Sequence, residues 1–226
     1  MPVGAAVPRR IDVAPGRFPG WIESFADRHG TVTAKASDES VSFAAADGAV
    51  AACQVPFPPL PLPPLPPDQH DADEISLAKR LAAHAAADRT VGVLLARLGG
   101  YAAGVFTGAE PVLVASKVGS RLVHGRSAAG GQSQQRFARR RENQARQALT
   151  AAADTAAAVF GPYKLDALVL GGDKRAFPSI RTDVRLAPAF EVAVDAFLTV
   201  PDPRLTVLKD TPRLFRAIKI TLTEPS

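Results

Sequence analysis

Eight of the twelve residues at positions 56–67 are proline. No helix or central strand can pass through such a run, because each proline lacks a backbone N–H and fixes its own φ. The tract reads as an extended polyproline-II spacer, whose Leu60, Leu62 and Leu65 can also lie along the protein's own surface. It therefore forces a division of the 226-residue chain. Residues 1–55 are expected to be a small N-terminal α+β unit, 56–67 the spacer, 68–90 a connecting helix and 91–226 the main domain.

Each piece has its own periodicity. Residues 16–29 space Phe18, Trp21, Ile22 and Phe25 as one face of a helix. Residues 31–36, 40–45 and 49–55 read as strands separated by Ser37-Asp38-Glu39 and Asp47-Gly48 turns, which makes an αβββ unit. Asp73 and Glu74 can cap a helix over 75–87. Beyond it, 91–98, 101–107 and 111–118 suit three strands joined by glycine-bearing turns. A helix is predicted over 133–160, with Ser133 as N-cap and Gly161-Pro162 as its stop. Its Phe137, Ala145, Ala148, Ala152, Ala156 and Val159 recur at three- and four-residue spacing, a stripe suited to packing on a sheet. Residues 166–170 suit a buried strand ending at Gly171-Gly172-Asp173-Lys174, a strand-to-helix turn without a Walker pattern. Residues 204–208 and 214–222 suit late strands, or a helix and a strand. The class is α/β (α+β), a mixed sheet packed by helices.

Charge is concentrated rather than spread. Between Lys117 and Arg146 stand eight Lys or Arg (Lys117, Arg121, Arg126, Arg136, Arg139, Arg140, Arg141, Arg146) and one acid, Glu142. That is a net +7 within a chain of net +5, so the remainder nets −2. Solvated helix faces interleave acids with bases at four-residue spacing, and this segment does not. A local basic stripe of this kind is the footprint of contact with nucleic-acid phosphates. His124 joins the set as a further phosphate contact. No run of 18 apolar residues exists, and the N-terminus has its basic residues after a proline-broken apolar stretch, the wrong order for a signal peptide. A cytoplasmic monomer without membrane contact is the expectation.

Metal chemistry finds little footing. The single cysteine, Cys53, rules out an intrachain disulfide and a multi-cysteine zinc site, and reads as a buried strand residue. His29, His70, His84 and His124 show no ligand spacing. Asp166, Asp173, Asp183 and Asp195 are the one set that could make a two-metal nuclease, which stays as an alternative reading. A non-catalytic RNA binder is the second alternative. Neither a metal nor an organic cofactor is expected.

The basic stripe surrounds Gly130-Gly131-Gln132-Ser133. Two glycines free the backbone for close approach to a ligand, and the glutamine amide carries donors and acceptors that can orient a water or a hydroxyl. With Arg136, Phe137, Arg139 and Arg141 behind it, the string resembles the catalytic loop of the archaeal and eukaryotic class-I peptide release factors, a Gly-Gly-Gln followed by Ser-x-x-Arg-Phe-x-Arg-x-Arg. Bacterial stop-codon release factors follow their Gly-Gly-Gln with a Val-Asn-x-Thr type sequence, absent here. Over about residues 90–222 the chain is similar to the bacterial branch of the Vms-like release-factor peptidyl-tRNA hydrolases, although its complete tripeptide departs from their looser pattern toward the true release factors.

The resemblance implies the release-factor middle-domain fold, with a long helix after the loop, and codon-independent hydrolysis of peptidyl-tRNA on stalled ribosomes or split large subunits. It implies Gln132, Gly130 and Gly131 as the catalytic set. Contacts with ribosomal RNA and tRNA would fall to Arg126, Arg136, Arg139, Arg140, Arg141, Arg146, His124 and Lys117. The partners implied are the large ribosomal subunit and peptidyl-tRNA.

Overall fold

The computed structural model describes residues 7–61, 73–97, 100–120 and 133–225, with the backbone alone at 133–142 and 145. In chain order the elements are β1 (Arg9–Val13), α1 (Phe18–His29), β2 (Val32–Ala36), β3 (Ser40–Ala45), β4 (Val50–Gln54), α2 (Glu74–Ala86), β5 (Val91–Arg97), β6 (Gly100–Thr107), β7 (Val112–Ser120) and α3 (Ser133–Phe160). There follow β8 (Ala167–Gly172), α4 (Phe177–Ile180), α5 (Ala187–Glu191), β9 (Ala193–Leu198), α6 (Leu205–Lys209), α7 (Thr211–Phe215) and β10 (Ile218–Thr223). The chain divides into two compact units, Met1–Ala87 with Arg213–Ser226, and Asp88–Pro212.

In the first unit, alternation builds the sheet. Val41 and Phe43, Ala51 and Cys53, and Ile218, Ile220 and Leu222 are buried while their strand neighbours face outward. The strands pair antiparallel in the order β1-β10-β4-β3-β2. Phe18, Ile22 and Phe25 of α1 and Leu77, Ala78, Leu81 and Ala85 of α2 fill the same core. The αβββ order read from sequence is present as α1-β2-β3-β4, and the structure widens it at both ends. β1 escaped the reading because Arg9, Arg10 and Asp12 mask its pattern, as charges on an edge strand do. The strand inside 214–222 does form, but it inserts between β1 and β4 instead of extending the 91–226 segment. Alternation announces a strand without naming its neighbours.

The start of the proline tract is built into this unit. Leu60 is 1% exposed and its N–H donates to the Asp38 carbonyl at 2.8 Å, while Phe57 packs edge-on against Phe215 with ring centroids 5.8 Å apart. The spacer reading of residues 62–67 lies outside the described residues. Asp73 caps α2 as expected, accepting from the Ser76 N–H at 2.9 Å and the Ser76 hydroxyl at 2.8 Å. At the other end of α2, the Arg216 guanidinium donates to the carbonyls of Ala86 and Ala87, where a cation also complements the helix dipole.

The second unit carries a sheet in the order β7-β6-β5-β8-β9. β5, β6 and β7 form an antiparallel meander, whereas β8 runs parallel to β5 and β9 parallel to β8. Central β5 is buried from Val91 to Ala96 without alternation, as a strand covered on both faces must be. α3 is the long crossover from edge strand β7 back to β8. Its Ala148, Ala152, Ala156 and Val159 are buried as the stripe requires, joined by Ala153 and Phe160, and the small side chains let the helix lie close to Leu94, Ala96, Ala103 and Val105. Phe137 and Ala145 of the same stripe lie outside the described side chains. The mixed α/β class expected from the sequence is what the chain adopts.

Candidate functional site

The site is organised by the two elements that flank residues 121–132. β7 delivers the chain at Ser120, and α3 receives it at Ser133 with 28 residues, a span of about 42 Å. Gly130, Gly131 and Gln132, and with them His124 and Arg126, lie outside the described residues. What the structure describes is the two elements on either side of them.

At the β7 end, Tyr101 is the cross-strand partner of Gly119, one residue before the strand stops. A Cβ on Gly119 would sit 2.3 Å from the Tyr101 hydroxyl, so the ring lies directly over the glycine and only glycine permits it. Tyr101 in turn packs against the core under α3. Lys117 is exposed on β7, opposite Ala103, three residues before the strand ends.

At the α3 end, Arg136, Arg139, Arg140 and Arg141 occupy the first three turns. Arg146 is exposed, one turn before the Thr150 hydroxyl that donates back to its carbonyl at 3.1 Å. The far end of the helix is held down. Gly161 N–H donates to Ala157 O at 2.9 Å as the helix stops, and Asp154 accepts from Arg185 at 2.6 Å. A helix packed over its C-terminal half and basic over its N-terminal half can present the latter to a polyanion.

The acids proposed for the nuclease alternative are committed elsewhere. Asp166 accepts from the Thr90 N–H at 2.7 Å, Asp173 grips Arg175, Asp183 grips Arg185, and Asp195 is exposed on β9. The Arg175 guanidinium first, then its backbone N–H, hold the Asp173 carboxyl below the ordinary range; Arg185 does the same for Asp183. Among the described residues no three His, Cys, Asp or Glu side chains come together as a metal-binding group. His29 bonds Asp47 at 2.8 Å and His84 bonds the Phe57 carbonyl at 2.9 Å, both as structural contacts. Cys53 is fully buried, and that burial pushes its thiol up to about 12.

The sequence reading passed over the charges at the C-terminal ends of β5 and β8. Arg97 donates to the Val200 carbonyl at 3.0 Å and lies 3.8 Å from Asp202, and it contributes to the lowering at Asp173. Gly171-Gly172-Asp173-Lys174 is the strand-to-helix turn expected, with Asp173 capping a single 3-10 turn, Lys174–Ala176. The signal that could have drawn attention to it is the recurrence of Asp-x-Arg at 173–175 and 183–185.

Comparison with known proteins adds a family. The family of Actinobacteria/chloroflexi VLRF1 release factors matches residues 89–221, more than half of the chain, including the segment between β7 and α3. No curated protein matches. Among solved structures, the archaeal translation termination factor aRF1 is similar at a TM-score of 0.39 and 11% identity, over 94% of this chain and 68% of that one. A second structure, an archaeal protein, gives a TM-score of 0.36 and 12% identity over 92% of this chain and 64% of its own. No described helix is long and apolar enough to cross a membrane.

Proposed function

This chain belongs to the Actinobacteria/chloroflexi VLRF1 release factor family, and on that premise we propose that it is a ribosome-associated peptidyl-tRNA hydrolase. It frees nascent peptides from stalled ribosomes or split large subunits without reading a codon, in the manner of the Vms-like hydrolases. The observation that carries the reading is the family match across residues 89–221, within which the complete Gly130-Gly131-Gln132 stands directly before a helix with an arginine-rich first half.

In the reaction, water adds to the ester carbonyl that joins the peptide to the terminal ribose. The ribose oxygen leaves and takes up a proton, giving a free peptide acid and a tRNA hydroxyl. Glutamine is neither acid nor base at neutral pH, so Gln132 acts by placement: its amide and backbone N–H orient the water and the ribose. Gly130 and Gly131 allow the backbone to come close. Arg126, Arg136, Arg139, Arg140, Arg141, Arg146, Lys117 and His124 supply phosphate contacts with ribosomal RNA and the tRNA acceptor stem. The reaction needs no metal or organic cofactor, and the protein works in the cytoplasm as a monomer.

Release of a labelled peptide from peptidyl-tRNA on isolated large subunits tests the assignment. The parent chain should release the peptide, and Gln132→Ala, equally well folded, should not. Release by Gln132→Ala at the parent rate would overturn the reading.

A further inference from the structure

The second unit contains the same small device twice. Asp173 and Asp183 each cap a single 3-10 turn, each accepts the backbone N–H of the arginine two residues on at 3.0 Å, and each holds that arginine's Nε and Nη2 with its carboxylate. In the second copy the held guanidinium has an internal destination, because Arg185 Nη2 reaches Asp154 on α3. In the first copy it has none. Arg175 is 84% exposed against 54% for Arg185, and among the described residues no second acid does for it what Asp154 does for Arg185.

Geometry then decides what Arg175 offers. A side-on grip through Nε and Nη2 uses one edge of the guanidinium and leaves the Nη1/Nη2 end, a planar fork that matches two oxygens of a phosphate. The central residue of each copy differs in the same sense. In the second copy it is Val184, while in the first it is Lys174, exposed and steadied with its ammonium 5.3 Å from the centre of the Phe197 ring. With Arg97, this corner holds three cations against Asp173 and Asp202, and both Asp173 oxygens are occupied by Arg175.

Sheet register ties the corner to the end of β7. Ser120 pairs with Gly100, Gly100 with Arg97, and Ala96 with Gly172. The end of β7 and the end of β8 thus lie at the same end of one sheet, three strand spacings or about 14 Å apart. We infer that Lys174 and Arg175 form a phosphate-binding pair for an RNA backbone, at the same end of the sheet as Ser120, where β7 stops. The inference rests on the RNA-directed reading of the segment that carries Gly130-Gly131-Gln132; the ligand is a phosphodiester of either ribosomal RNA or tRNA.

The test uses the full chain and intact large ribosomal subunits, with and without peptidyl-tRNA, across a salt series. Lys174→Ala/Arg175→Ala should weaken binding and reduce the slope of log affinity against log salt by about 1.5, at about 0.7–0.9 per lost phosphate contact. Arg175→Lys, which keeps the charge and loses the fork, should bind less tightly than the parent with a smaller change in slope. A reduced slope on subunits without tRNA identifies ribosomal RNA as the source, and one confined to loaded subunits identifies tRNA. An unchanged slope on both, with the variant's thermal unfolding unaltered, overturns the inference. Gln132→Ala is read separately for release: its failure to abolish release sinks the hydrolase reading, whereas an unchanged slope in the double variant beside a dead Gln132→Ala sinks only this one.

Discussion

Gly172→Ala should be among the most damaging single-methyl additions to the second unit. Gly172 ends β8 at φ +103°, a region that L side chains rarely adopt. Its missing Cβ would stand 2.3 Å from the Ala96 carbonyl oxygen, which is β5 backbone and cannot swing aside. Gly108 supplies the comparison within the same unit, at φ +97° with its nearest contact, the Glu110 carbonyl oxygen, at 3.2 Å. Both substitutions carry the conformational cost of a positive φ, about 1–2 kcal/mol. Only Gly172→Ala must also push β8 from β5, breaking the Asp173 N–H bond to Ala96 O at 2.8 Å and stranding a buried carbonyl, a further ~1–3 kcal/mol. The expected losses are about 2–5 kcal/mol for Gly172→Ala and about 1–2 kcal/mol for Gly108→Ala. Amide exchange at β5 and β8 reads the stability of this unit directly. Equal losses for the two variants would refute the steric argument.

Three further outcomes are expected. Replacing Arg139, Arg140 and Arg141 by Ala should lower ribosome affinity and make its salt dependence shallower, and a titration with the same slope as the parent would mean that these arginines do not meet phosphate. Release should proceed equally with stop, sense or absent codons in the decoding site and be favoured on large subunits lacking the small one; a strong stop-codon requirement in that assay would contradict codon-independent rescue. Burial of Cys53 keeps its thiol protonated in the folded chain up to about pH 12, while the unfolded chain ionises near its ordinary value of 9.0. The resulting stability is fully present below pH 9 and is lost as pH rises toward 12, so unfolding curves measured across that window should lose stability in the parent and lose less in Cys53→Ala.

The sequence by itself determined the local elements wherever one signal dominated. The 133–160 helix is bounded as read because Ser133 opens it and a three- and four-residue apolar spacing runs from Ala145 to Val159, just before Gly161-Pro162. β3 and β5 announced themselves by alternation and by an unbroken apolar run. The Gly-Gly-Gln string and the arginines behind it are a motif of consecutive residues, so the proposal built on them comes from the sequence and not from the fold. Tertiary structure alone decided which strands are neighbours. The alternation of Ile218, Ile220 and Leu222 fits any half-buried sheet, and only the folded chain seats β10 between β1 and β4, more than 150 residues away in sequence from either. It also decided the fate of charge. Asp173 and Asp183 look alike in sequence and are built alike, but Arg185 is spent on Asp154 while Arg175 faces outward. Period and composition are local properties, whereas the partner of a strand or a guanidinium depends on what the rest of the chain brings beside it.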